Sequence, residues 1–381
     1  MELELQSAEG ISRRSISIPI YRPDLSGNER RYVTECLDSG WISSIGAFVP
    51  RFERELAAAT GARHAIAVCN GTVALHLALH CLDIGPGDEV IVPSLTFIAP
   101  VNMIAQTGAT PVFAEVTRSD WLLDPHAVEA RITPRTKAVL PVHLYAGVCD
   151  MAAFRQIAAR RGLKIVEDCA EAFGSMRDGR HAGTFGDIGT FSFFGNKTVT
   201  TGEGGALITS DDGLAARLRQ VKGQGQSLTR RYWHEVVGFN YRMSNIAAAI
   251  GVAQLERLER IKVRKRDIAQ RYRSLLAELP VTWPQHSAAV EPSDWLFSVL
   301  LPSGVDRAQV MSEMQSVGVE TRPVFYCAHT MPMYTSGESL PISEDIAARG
   351  ISLPSFPTLA DAEIDRVVDA LRTALAAQHY A

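Results

Sequence analysis

From residue 65 onward the chain repeats one pattern: a short run of apolar residues, a turn, then a longer stretch with helical periodicity. The runs cover 65–68, 88–93, 111–115, 138–142 and 164–167, and 205–209 adds another after the longest gap. Runs that are apolar throughout, rather than alternating, describe strands buried on both faces. Helices between them require parallel neighbours. The spacing therefore predicts an α/β fold with a mostly parallel sheet covered on both sides.

The flanks differ. Residues 1–27 carry weak periodicity and read as an arm, followed by helices at 27–37 and at 52–59, the second stopped by Gly61. A helix is predicted at 213–221, and one long helix at 244–279, which Pro280 ends. The remainder, with a strand at 297–301 and a closing helix at 361–377, reads as a smaller α+β domain. The predicted organisation is an arm (1–27), a large domain (28–255) and a small C-terminal domain (256–381). A chain of 381 residues is long enough for two domains. The stretch 223–242, with Tyr232, Trp233, Phe239 and Tyr241, reads as an ordered loop that packs on something.

Composition excludes several classes. A net charge of −4 gives no basic stripe for nucleic acid. The six cysteines form no CxxC or Cys/His cluster, which argues against a metal site or a disulfide framework and for a reducing compartment. The acidic start of the chain lacks the apolar core of a signal peptide, and no run approaches the ~18 apolar residues of a membrane span. The expected location is the cytoplasm.

Three places carry chemistry. Between a strand-like run and a glycine-rich turn, in GTFGDIGTFSFFGNKTVTTGEGGA, stands Lys197. A lone loop lysine is ordinarily a solvated charge. Here Phe191, Phe193 and Phe194 precede it, and apolar walls favour the neutral amine that forms a Schiff base. Asn70-Gly71-Thr72 lies between a strand and a helix start, which suits an ordinary cap or a bound anion. No GxxxxGK[ST] occurs, nor a GxGxxG after the first strand, so a P-loop or dinucleotide site is disfavoured. Asp168 ends a buried strand, where it caps a turn or meets a ligand at the carboxyl edge of the sheet. An anion cup, a strand-end carboxylate and a lysine among apolar residues, in that order, suit pyridoxal 5′-phosphate (PLP), whose protonated ring nitrogen needs a carboxylate partner.

The runs VCNGTVALHLAL, GDEVIVPSLTFIAPVN, VHLYAGVCDM, IVEDCAEAFGS and GTFSFFGNKTVTTGEGG resemble the PLP-dependent sugar aminotransferases of the DegT/DnrJ/EryC1/StrS family. The resemblance extends from about residue 20 to the C-terminal helix. It implies a PLP-dependent transferase of fold type I (aspartate aminotransferase-like), acting as a homodimer or higher oligomer with active sites shared between subunits. It also implies the roles of single residues. Lys197 is the cofactor-bearing, catalytic lysine, and Asp168 is the partner of the ring nitrogen. Gly71, Thr72 and Ser192 hold the phosphate, Phe97 stacks on the ring, and Glu171 faces its phenolic oxygen. Asn240 reaches the neighbouring subunit's phosphate, while His329 and Arg242 lie towards the sugar.

The family includes sugar 3-dehydratases with histidine in place of the lysine, so Lys197 favours transamination. The runs LSGNERRYVTECLDSGWISSIG, RRYWHEVVGFNYRMSNIAAAIG and TRPVFYCAHTMPMY resemble a subset of the family, and that resemblance implies GDP-4-keto-6-deoxy-mannose as substrate, aminated at C4 with L-glutamate as donor, for a surface polysaccharide. A dTDP- or UDP-linked 4-keto sugar is the alternative, with Arg230 and Arg231 available to a diphosphate, and a non-catalytic PLP-binding protein is a further one. The chain departs from the family's wording at Cys69, read as a small buried residue, at Phe97, where tyrosine is frequent, and at 146–148.

Overall fold

The apolar runs form one seven-stranded sheet among the described residues, which in this computed structural model are 16–227, 229–335 and 337–378. Residues 1–15 of the expected arm lie outside the described residues. In spatial order the strands are His64–Val68, Gly205–Thr209, Ile188–Ser192, Lys164–Asp168, Thr136–Val139, Glu89–Pro93 and Thr110–Ala114. Only Gly205–Thr209 runs antiparallel to its neighbours. Burial on both faces explains the strands' composition: Ile66, Val68, Val90, Ile91, Val92, Val166, Leu207 and Ile208 have no exposed surface.

Polar residues just ahead of the apolar period start several of the covering helices. Asn70 accepts from the backbone N–H of Val73, Asp124 from His126, Asp150 from Ala153, Asp211 from Leu214 and Ser244 from Ala247. Each bond satisfies one of the free N–H groups of a first turn, worth about 1 kcal/mol.

A second sheet pairs Phe297–Leu300 with Gly350–Leu353, which in turn pairs with Arg322–Pro323. Its apolar face packs with Tyr272, Phe356, Ile364 and Leu371 into a separate buried cluster. The start of the described chain is stitched to this region. Ile18 bridges Val319, and the Ile20 N–H donates to Glu320 at 2.8 Å.

Several predicted elements change in the structure. The single helix predicted at 244–279 is two, Asn245–Leu255 and Leu258–Leu275. The break falls where tertiary bonds grip consecutive side chains. Glu256 accepts from Asn28, Tyr32 and Arg51, while Arg257 is bound to Asp24. The helix predicted at 52–59 begins earlier and spans Phe48–Thr60, because Pro50 falls in its first turn, where a missing N–H breaks no helical bond. The helix Ala99–Gln106 likewise carries a proline, Pro100, in its first turn.

The 223–242 stretch doubles back on itself through bridges between Gly223 and Asn240 and between Gln226 and His234, with Leu228 outside the described residues. Phe239 and Tyr241 stack at 4.8 Å and pack on His76, whereas Tyr232 and Trp233 stay exposed. Among the described residues no helix is long and apolar enough to cross a membrane.

Candidate active site

The carboxyl ends of Lys164–Asp168 and Ile188–Ser192 open into a cavity of about 470 Å³, which also takes in the N-terminus of the helix Gly71–Cys81. This is the edge at which open α/β sheets bind ligands. Gly71, Thr72, Phe97, Asp168, Glu171, Ser192 and Lys197 all line it, although they come from four separate segments of the chain.

The cup at the helix start is closed by contact of backbone with backbone. A Cβ on Gly71 would lie 2.6 Å from Ser192 Cβ, and one on Gly205 would lie 2.4 Å from the carbonyl carbon and oxygen of Asn70. Glycine is required at both positions by this approach, not by an unusual φ. The helix's first-turn amides and its dipole make the cup a site for an anion such as a phosphate.

Asp168 is buried, and one carboxylate oxygen accepts from the Ala170 N–H at 2.9 Å, which is the turn cap anticipated from sequence. Burial pushes its carboxyl above the usual range, while the Ala170 N–H and Lys197 oppose the shift. Behind it lies a polar network. Glu167 has no exposed surface and accepts from the N–H groups of Gly183, Phe185 and Gly186. Its Oε2 also lies 2.9 Å from His143 Nε2. Because His143 Nδ1 accepts from the Cys149 N–H at 3.2 Å, the neutral ring carries its proton on Nε2 and donates it to Glu167. The His143 N–H in turn donates to the Asp168 carbonyl at 2.9 Å. Ligand-type atoms of His143, Glu167 and Cys169 lie within 4.8 Å of one another, but both Glu167 oxygens are already occupied by these four bonds.

The Lys197 side chain is 15% exposed, and its Nζ lies 3.6 Å from Glu171 Oε1 and 4.0 Å from the centroid of the Trp295 ring. Burial pulls the amine below its ordinary pKa, opposed by the Glu171 and Asp168 charges. Burial pushes Glu171 up to about 7, with Lys197 holding it back. Its other oxygen accepts from the Tyr145 N–H at 3.0 Å. Tyr145 sits in the left-handed region, at φ 48° and ψ 43°. Its ring stacks at 6.2 Å on Trp295 and at 5.7 Å on Phe325. Phe97, 53% exposed, continues the series at the cavity mouth, 5.6 Å from Phe325.

Three sequence candidates do not line this cavity. Asn240 is exposed. Arg242 donates through Nη2 to the Gly223 carbonyl at 3.4 Å, and its Nε is buried with no partner among the described residues. His329 is buried, with Nδ1 2.6 Å from Ser94 Oγ and Nε2 3.2 Å from Glu344. Arg230 and Arg231 lie over Trp233 and Tyr232. Cys69, expected to be buried, is partly exposed because it sits at the strand end beside Tyr241, whose carbonyl accepts its N–H at 2.9 Å.

Sequence reasoning missed Trp295, Tyr145, Phe325, Arg322 and Tyr21. Tyr145 and Phe325 stood inside quoted runs without a role, and nothing local marks Trp295 or Tyr21.

The chain matches the DegT/DnrJ/EryC1/StrS aminotransferase family over residues 23–372 and belongs to it. It is a PLP-dependent sugar aminotransferase. A GDP-perosamine synthase of Escherichia coli O157:H7 is 48% identical over 355 residues, 93% of this chain and 97% of the relative. One from Vibrio cholerae is 46% identical over 360 residues, 93% of this chain and 98% of the relative. Among solved structures, S. venezuelae DesV, crystallised with a ketimine intermediate, superposes with a TM-score of 0.88 at 38% identity, covering 93% of this chain and 98% of that one. The residues present fit PLP: a close-packed anion cup, a buried carboxylate and a buried amine line one cavity.

Proposed function

We propose that the enzyme moves an amino group from L-glutamate to C4 of GDP-4-keto-6-deoxy-mannose, giving GDP-perosamine. The observation that carries the substrate is identity of 46–48% over 93% of the chain to enzymes named for that product. The geometry of Lys197 and Asp168 supports the reaction class.

In this reading Gly71, Thr72 and Ser192 hold the cofactor's phosphate, Asp168 keeps its ring nitrogen protonated, and Phe97 covers the ring. When bound, PLP supplies the electron sink that lets a carbon beside nitrogen lose its proton. In the first half of the cycle Lys197 Nζ would move a proton from the donor's α-carbon to C4′ of the cofactor, and in the second half it would move one from C4′ to C4 of the sugar. Desolvation lowers the Lys197 amine below its ordinary pKa and so favours the neutral form that a general base requires. Glu171, pushed up to about 7 by burial, lies 3.6 Å from Lys197 Nζ and opposes the loss of the amine's proton when it is ionised.

The enzyme works as a homodimer in the cytoplasm and serves surface polysaccharide synthesis. Support for the dimer comes from Asn240, which is exposed and outside its own subunit's cavity, and from the exposed Trp41, Ile42, Ile45 and Val237. The break at Glu256–Arg257 supports the division of the chain near residue 256. The test of the substrate is mass spectrometry of products formed from glutamate and each of three 4-keto-6-deoxy sugars, linked to GDP, dTDP or UDP. Amination of the GDP sugar at least about ten times faster than the others supports the assignment. Preference for another nucleotide overturns it while leaving the aminotransferase in place.

A further inference from the structure

We infer that Trp295 is a positioning residue for Lys197: its ring covers the amine while its indole N–H fixes the backbone from which the lysine springs. This rests on Lys197 being the cofactor lysine. Trp295 is 3% exposed, and its Nε1 donates to the Asn196 carbonyl at 2.6 Å. The next carbonyl, that of Lys197, accepts from the Tyr21 hydroxyl at 2.7 Å. Side chains from the N-terminal and C-terminal regions thus hold the consecutive carbonyls of Asn196 and Lys197. On the C-terminal side of Lys197 the loop is held by burial of Val199 and Thr200, whereas a Cβ on Gly195, before it, would meet nothing within 4 Å.

Trp295 is itself anchored. Its carbonyl accepts from the buried Lys265, whose amine burial pulls down to about 7 and which also reaches the Ser355 carbonyl, and Tyr145 stacks on its ring at an interplanar angle of 13°.

The ring has an electrostatic consequence. An ammonium over an indole face is favoured by the ring quadrupole, so the ring opposes the loss of charge that burial promotes. The charged groups facing Nζ are Asp168, at the end of the central strand, and Glu171, in the turn after it. Arg322 and Glu203 also line the cavity, and the Tyr145 hydroxyl is turned towards the Phe325 N–H at 3.3 Å. Trp295 supplies the one aromatic face recorded over the amine among the described residues.

The test is the rate at which the full chain, freed of cofactor, captures PLP, followed by visible absorbance from pH 6 to 10. Lys197→Ala is the blank. Capture requires the neutral amine. Trp295→Leu removes the ring, so the pH midpoint of capture should fall by about one unit. Trp295→Phe keeps an aromatic face but loses the N–H, so its midpoint should stay near that of the parent while capture slows about five-fold at every pH. Circular dichroism of each variant separates a folding defect from the effect sought. A Leu midpoint equal to the parent's, in a folded protein, overturns the inference, as does a Phe variant that captures at the parental rate. Capture by Lys197→Ala as fast as by the parent would instead remove the lysine assignment, and the role of Trp295 with it.

Discussion

Three side chains bear the chemical load of the proposed reaction. Lys197→Ala should lose turnover altogether in a coupled assay of 2-oxoglutarate release, and retention of near-parental activity would end its assignment. Asp168→Asn keeps the shape but removes the buried charge, and turnover should fall about 10²-fold or more, because a preorganised charge at the reacting group is lost. Glu171 gives a stability prediction with a definite sign. Its folded pKa, about 7, lies above the unfolded value, so the folded state binds more protons between the two. The contribution is present below about pH 4.5 and is lost as pH rises through 7. Glu171→Gln removes that dependence. Relative to the parent, the cofactor-free variant should therefore gain stability from pH 5 to pH 8, by up to about 3 kcal/mol. Denaturant midpoints at the two pH values measure this, and a difference independent of pH would refute it.

Individual elements were readable to different degrees. The strand Gly205–Thr209 and the helix Asp361–Ala377 lie where their sequences placed them, because each pattern is bounded by an unambiguous glycine or acidic start. The helix break at Glu256–Arg257 was not readable. Both residues are good helix formers, and what interrupts them is a set of bonds to Asp24, Asn28, Tyr32 and Arg51, more than two hundred positions away in sequence. The cup at Gly71 offers a test at this scale. Gly71→Ala places a methyl 2.6 Å from Ser192 Cβ and 3.1 Å from its Cα. Overpacking of about 1–3 kcal/mol should follow. PLP affinity, measured by titration of the cofactor-free protein, should fall with it, and unchanged affinity would show that the cup is not the phosphate site.

For the molecule as a whole, the open question is how many subunits make one site. If Asn240 completes the neighbour's cavity, Lys197→Ala and Asn240→Ala subunits should each be impaired alone. Mixed dimers would then regain activity through the one site that keeps both groups. Equal activity in mixed and unmixed preparations would place the complete site within one subunit.

The sequence by itself determined the parallel α/β core, the order of cup, carboxylate and lysine, and the cofactor they suit, because each depends on local periodicity or on residue chemistry at strand ends. Only the tertiary structure decided the rest. The ring over Lys197 arrives from the C-terminal region and the tyrosine on its carbonyl from the N-terminal one. The His143–Glu167 pair is recognisable only once two strand ends lie side by side. Such contacts join residues of ordinary local character, and no short-range preference encodes them. Packing of the sheet and its flanking segments selects them, which is why they appear with the fold and not before it.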